Sequence, residues 1–241
     1  MNDAKLARIR ALLDNAESYA EQGNKEAAET YRNKAIELMA AHGVEEAMLS
    51  ARTHKDEKPI RRDIPLTKPY TVDKGVLMYG TARALGVQCI RTKGNPPHSV
   101  LVGFESDLER VEVLYTSLLV QAFGELAATP PPRYESTVSF RKAWLIGFTN
   151  TVVDRIEAAE QRARGEYEQR TGSSTALVVQ GRSKRVDAEF RTYFPRVRKG
   201  RKRYAHSASG YASGKDAGER ADIGGAKVDD RQTTEINRGK A

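Results

Sequence analysis

Apolar residues near the start of the chain recur every three or four positions: Leu6, Ile9, Leu13, Ala16 and Ala20, then, after Gln22-Gly23-Asn24, Ala28, Tyr31, Ala35, Leu38 and Met39. That period places each set on one side of an α-helix, so the spacing predicts two amphipathic helices. Asn2 or Asp3 can cap the first. His42-Gly43 marks the end of the second, with the glycine in a left-handed C′ position and the histidine serving the exposed carbonyls. The short turn makes the pair an antiparallel hairpin. Its interface of Ala, Leu and Met is small, so it must pack on the rest of the chain or on a partner.

Thr53 to Pro69 has no apolar period and carries three prolines among charged residues, which reads as a linker. Beyond it Lys74 to Leu85 has helical spacing. Two β-rich runs, Val87 to Thr92 and Ser99 to Phe104, flank Lys93-Gly94-Asn95-Pro96-Pro97 and predict a β-hairpin. Ser106 with Glu109 forms a capping box, and Leu108, Val111, Tyr115, Leu118 and Ala122 then continue a long helix until Pro130-Pro131-Pro132 stops it. A second long helix begins near Ser139. Phe140, Trp144, Phe148, Val152, Ile156 and Ala159 form its apolar face, on which Trp144 is expected to be buried. Its last turns, from Glu157 to Arg170, are expected to project into solvent.

Thr175 to Val179 is β-branched enough to add a third strand, and Lys184 to Phe194 predicts a basic amphipathic helix. From Gly200 the chain is Gly, Ala, Ser and charge, with disorder expected after Asp222. The fold expected is therefore α+β and mostly α. A helical hairpin (1–52), a linker (53–69), a domain of long helices on a small antiparallel sheet (70–199) and a basic, glycine-rich tail (200–241) follow one another.

Charge changes this picture. Arg182, Lys184, Arg185, Arg191, Arg196, Arg198, Lys199, Arg201, Lys202 and Arg203 stand against only Asp187 and Glu189, and the +8 they leave equals the formal net charge of all 241 residues. Such density self-repels unless an anionic partner lies close, so the ten cations are the candidate phosphate-binding residues. Tyr193, Phe194 and Tyr204 interleave with them as faces on which bases can stack. No element that reads bases is identifiable, so DNA and RNA are not distinguished. The plain alternative is a solvated charged face.

Other chemistry is sparse. His42, His54, His98 and His206 lie far apart, and Cys89 stands alone in an apolar setting as a small buried hydrophobe, so neither a metal site nor an intrachain disulfide is expected. Glu105, Asp107, Glu109 and Glu112 could hold a metal or act as acid and base, but carboxylates in a first helical turn also answer the helix dipole. Gly214-Lys215 lacks the spacing and the following Ser or Thr of a phosphate-binding loop; Gly210, Gly214 and Gly218 instead suggest a small-residue face for close helix approach. No cofactor is expected. The first residues lack a signal-peptide core and runs such as Leu118-Leu119-Val120 are far short of the ~20 residues that span a bilayer, so a cytoplasmic location without a membrane partner is expected.

Several strings together resemble a known family. Arg8-Ile9-Arg10-Ala11-Leu12-Leu13 with Ala16, Glu26-Ala27-Ala28, Lys34-Ala35, Leu38-Met39 and His42-Gly43 are similar to the helical hairpin of the domain-of-unknown-function 2786 family, found in bacteria, actinobacteria especially, and their phages. Val102-Gly103-Phe104 with Asp107, Leu114-Tyr115 with Leu118, Phe140-Arg141 with Gly147-Phe148, and Gly210-Tyr211-Ala212 with Gly214 and Gly218 resemble the region that often follows it. The resemblance implies a two-part architecture and a mobile-element setting, with no catalytic residue and no ligand. The function expected is a non-enzymatic nucleic-acid-binding accessory protein. The alternatives are a protein-interaction module docking through the N-terminal hairpin and a hydrolase or nuclease using Glu105 to Glu112.

Overall fold

Asp3–Glu21 forms α1 and Lys25–Arg52 forms α2 in the computed structural model, which describes residues 3–53, 57–92, 94–198, 200 and 203–221. Asn24 caps α2 by accepting a hydrogen bond from the Ala27 amide at 3.1 Å. The helices pair as a hairpin through Ile9, Ala16, Ala28, Ala35 and Met39, all buried, with Tyr19 and Tyr31 stacked at 5.2 Å. The side chains of Leu6 and Ala20 lie outside the described residues. The expected stop at His42-Gly43 is not used: α2 runs on to Arg52. Glycine in a helix interior costs about 1 kcal/mol against alanine. That cost is outweighed here because Val44, the next residue, and Met48, one turn further, are buried against Ala163 and Tyr167. His42 thus sits inside the helix, buried, with Nε2 3.4 Å from Glu46.

The segment expected as a linker contributes a strand. Ile60–Pro65 (β1) pairs antiparallel with His98–Gly103 (β3), which also pairs with Gln88–Arg91 (β2) in the order β1-β3-β2. Arginines, Asp63 and Pro65 hid β1 because an edge strand tolerates charge and proline. Alternation along the strands sets Arg62, Leu101 and Cys89 on one face and Arg61, Val102 and Gln88 on the other. Leu101 and Cys89 join the core. Burial pushes the Cys89 thiol up to about 12, so it stays an inert thiol at neutral pH.

Thr71–Ala84 forms α3 and Glu105–Ala128 forms α4. The predicted capping box is not formed: Phe104 occupies the N-cap without a side-chain hydrogen bond, and Ser106 is buried within the first turn. Among the described residues α4 is the one helix long and apolar enough to cross a membrane by length and composition alone. In the fold its Leu108, Val111, Leu114, Leu118 and Ala122 stripe is core.

Thr137–Thr171 forms α5, started by Ser136, whose side chain accepts from the Ser139 amide, and ended by Gly172 at φ +66°. Trp144 is fully buried, stacked on Phe148 at 5.3 Å, with Val152 and Ile156 in line. The far half of α5 does not project into solvent as expected: Ala159, Glu160, Ala163 and Tyr167 are buried, with α2 alongside.

Two further helices follow, the first of which contains the basic helix expected from Lys184 onward. Thr175 to Val179 does not add a strand but opens α6, Ala176–Tyr193. Glu168 fixes that start by accepting from the Thr175 amide at 2.6 Å and its hydroxyl at 2.8 Å, and these bonds hold its carboxyl below the usual carboxylate range. Part of the expected tail is α7, Ala208–Arg220, packed along α5. Ser207 caps it, accepting from the Gly210 amide at 2.9 Å, while Glu135 accepts from the hydroxyls of Ser207 at 2.5 Å and Ser209 at 2.6 Å. The expected small-residue face is what α7 presents to α5. A Cβ on Gly210 would stand 2.5 Å from the Phe140 carbonyl, one on Gly218 2.7 Å from Thr151, and one on Gly214 would strike the Trp144 carbonyl. The disorder expected after Asp222 falls outside the described residues.

Candidate functional site

The apolar side of α6, centred on buried Val186, lies over the sheet face of Arg61 and Gln88, and the Gln88 side-chain amide donates to Asp187 at 2.7 Å. Its opposite side carries Leu177, Lys184 and Arg191, spaced by seven residues and exposed. At its C-terminal end Phe190 and Phe194 approach at 5.1 Å and Tyr193 and Phe194 at 6.5 Å, while the Arg61 guanidinium lies 5.9 Å from the Tyr193 ring and 6.0 Å from that of Phe194. Tyr193 remains 41% exposed and Tyr204 69%, so both keep a ring surface open.

The structure divides the ten candidate cations. Lys184, Arg191, Arg196 and Arg198 are exposed to solvent. Arg185 donates to the Glu57 carbonyl, although it too is exposed. Arg182 is turned inward: it donates to Asp107 at 2.7 Å and its guanidinium lies 3.8 Å from the centre of the Phe104 ring. Arg203 donates to buried Asp73 at 2.6 Å. These two are internal ion-pair partners in this structure. Lys199, Arg201 and Lys202 lie outside the described residues.

Three of the four carboxylates in the acidic cluster of α4 are likewise committed, while Glu109 has a buried Oε2 without a hydrogen-bond partner. The Arg62 guanidinium spans Glu105 and Glu112, both at 2.7 Å, and so fastens β1 to α4. Asp107 receives Arg110 at 3.3 Å as well as Arg182. Among the described residues no group of three or more His, Cys, Asp or Glu side chains could hold a metal ion. His98 sits at the start of β3, with Nδ1 3.0 Å from the Thr92 hydroxyl and Nε2 3.5 Å from Asp63. The adjacent Arg61 is the main reason that the Asp63 carboxyl lies below its ordinary range.

A feature that sequence reasoning missed lies on the far side of Asp107. Arg110, 3% exposed, reaches from α4 to Glu160 on α5 and sits against Gly43 of α2, where a Cβ would collide with the guanidinium. Burial raises the Glu160 carboxyl above its ordinary value, Arg110 and Arg164 pull it down, and Asp107 adds to the rise. Arg110 and Glu160 line a cavity of about 280 Å³ between α2, α4, α5, α6 and the turn after α3. Helical spacing could have paired Asp107 with Arg110, but not Gly43 or Glu160, which arrive from distant turns. No protein-family model matches the chain, and neither a curated protein nor a solved structure is significantly similar to it.

Proposed function

We propose that the protein binds nucleic acid without catalysis, as an accessory protein, through the outer side of α6 and the cationic segment that follows it. The observation that carries this reading is the exposure of Lys184, Arg191, Arg196 and Arg198 within one short stretch of a chain whose charge elsewhere sums to zero. Tyr193 and Tyr204 offer ring faces beside them, the combination of cation and aromatic surface that suits a sequence-tolerant strand. Two observations weigh against the rival readings. The apolar stripe of the α1–α2 hairpin is engaged by the chain's own core, which leaves less for a partner. Glu105, Asp107 and Glu112 are held by guanidinium groups, which opposes their use as a metal clamp or general base. The order of the hairpin and companion motifs supports our further proposal that the chain belongs to the domain-of-unknown-function 2786 family.

The test is titration of labelled single-stranded and duplex oligonucleotides between about 50 and 200 mM salt. Four phosphate contacts on duplex give a slope of log affinity against log salt of about −3 to −4. Changing Lys184, Arg191, Arg196 and Arg198 together to Gln should weaken binding to all sequences alike and flatten the slope, with the melting temperature unchanged. Equal affinity and slope in parent and variant would overturn the reading.

A further inference from the structure

The cavity beside Arg110 has the composition of a ligand site. Four arginines line it, Arg83, Arg110, Arg164 and Arg182, against three carboxylates, Asp107, Glu157 and Glu160. Asp107 already serves two of the guanidiniums and Glu160 is engaged by Arg110, so the positive charge at the rim exceeds what the cavity's own acids neutralise. Arg83 is exposed and Arg164 half-buried. The Arg110 Nε–H is buried without a hydrogen-bond partner, and a buried donor in that state is uncommon unless something absent from the chain completes it. The remaining wall is largely apolar, with Val44, Met48 and Val178, and is interrupted by Gln161, Thr175 and Ser183. A concave, apolar pocket with a few convergent charged groups, one of them with a perturbed pKa, is the usual form of a small-molecule site.

We propose that this cavity binds a small organic anion: a carboxylate or phosphate-monoester head facing the arginines, on a compact apolar body lying against Val44, Met48 and Val178. A volume of about 280 Å³ suits one ring with its head group and little more. The excess of guanidinium selects the head, and the unpartnered Nε–H of Arg110, whose two terminal nitrogens are held by Asp107 and Glu160, is a donor suited to either oxyanion. The site does not use the exposed cations of the strand-binding surface, so it stands or falls separately from that reading.

The experiment titrates the full chain with phenyl phosphate, phenylacetate, 2-phenylethanol and inorganic phosphate, following the Arg Nε–Hε resonances by NMR and the melting temperature. At least one of the two aromatic anions should saturate and raise the melting temperature, and the tighter one names the head group. The neutral alcohol and inorganic phosphate should each bind at least about tenfold more weakly, the loss expected when a charge-assisted contact or the apolar contact is missing. Arg83→Gln with Arg164→Gln should weaken the anion about tenfold while leaving the fold intact, because both side chains reach solvent. Val178→Trp should fill the cavity and abolish binding, with circular dichroism reporting that the helices persist. Failure of both anions to saturate, equal binding of the alcohol or of inorganic phosphate, or unchanged affinity in the Arg83/Arg164 variant would overturn the proposal.

Discussion

Glycine opens space at two places in this molecule, and what fills the space differs. Along the α5–α7 seam Gly147, Gly210 and Gly214 let one helix backbone rest on another: a Cβ at any of them would meet a main-chain carbonyl of the facing helix. At the junction of α2, α4 and α5, Gly43 makes room for the Arg110 guanidinium, which is tied to Asp107 and Glu160. The first contact is rigid on both sides, since a carbonyl in a helix cannot move without moving the helix. The second is soft sterically and costly electrostatically, because displacing Arg110 leaves Glu160 buried with a weaker counter-charge. A small-residue position therefore protects packing in one case and charge compensation in the other.

The largest effect expected is at the charged junction. Arg110→Leu should destabilise by about 3–5 kcal/mol at neutral pH, because an uncompensated carboxylate is left inside, and Arg110→Leu with Glu160→Leu should recover most of that loss. The pH dependence gives a second readout. Glu160 has a folded-state pKa raised chiefly by burial, so its contribution favours the fold at low pH and is lost as pH rises through the folded value. Removing Arg110 takes away the strongest downward pull on that pKa. The gap between parent and Arg110→Leu should therefore be small near pH 4 and widen toward neutrality, as urea unfolding at several pH values would show. A gap independent of pH would mean that Glu160 is not the group left exposed to the loss.

At the seam, Gly214→Ala should cost about 1–3 kcal/mol by forcing α7 off α5, the range for overpacking against atoms that cannot yield. Hydrogen exchange should locate the loss in α7 and in the facing turns of α5. No side-chain truncation elsewhere should restore it, since the obstacle is the Trp144 carbonyl. Unaltered protection of α7 would break the contrast.

Gly43→Ala should be milder, about 1 kcal/mol, and conditional. In the parent the methyl pushes on Arg110. In the Arg110→Leu, Glu160→Leu background the guanidinium is gone, and the same substitution should turn neutral or favourable by a few tenths of a kcal/mol as the helix gains an alanine. A double-mutant cycle on melting temperature measures this coupling directly.

The same contrast explains what the sequence made legible. The glycine stripe, the aromatic face of α5 and the β2–β3 hairpin follow from local spacing, and each formed much as the spacing predicts. The continuation of α2 through Gly43 did not follow. Glycine signals a helix end locally, while its use here depends on Arg110, which is distant in sequence. The burial of the α5 charged half was hidden for a related reason: Glu160 is tolerated inside because Arg110 meets it there, with Arg164 adding to the attraction. The strand in residues 60–65 was masked because an edge position removes the usual penalty on charge and proline. Of the candidate cations, composition located the stretch but could not foresee that Arg182 and Arg203 face Asp107 and Asp73.

The smallest effect expected has the opposite sign and acts as the control for both kinds of glycine. Gly165 lies inside α5, one turn beyond buried Glu160, yet a Cβ there would meet nothing within 4 Å. Neither a backbone nor a guanidinium uses its vacant side. Its only consequences are therefore intrinsic: more freedom lost on folding than any other residue loses, and a poorer helix propensity. Gly165→Ala should stabilise the protein by about 0.5–1 kcal/mol, the difference between glycine and alanine in a helix interior. Chemical denaturation should show a higher midpoint with an unchanged slope, which separates a gain in stability from an altered denatured state. A loss of stability at Gly165 would show that glycine in α5 serves a contact the structure does not display, and the distinction between the seam, the charged junction and open helix would have to be redrawn.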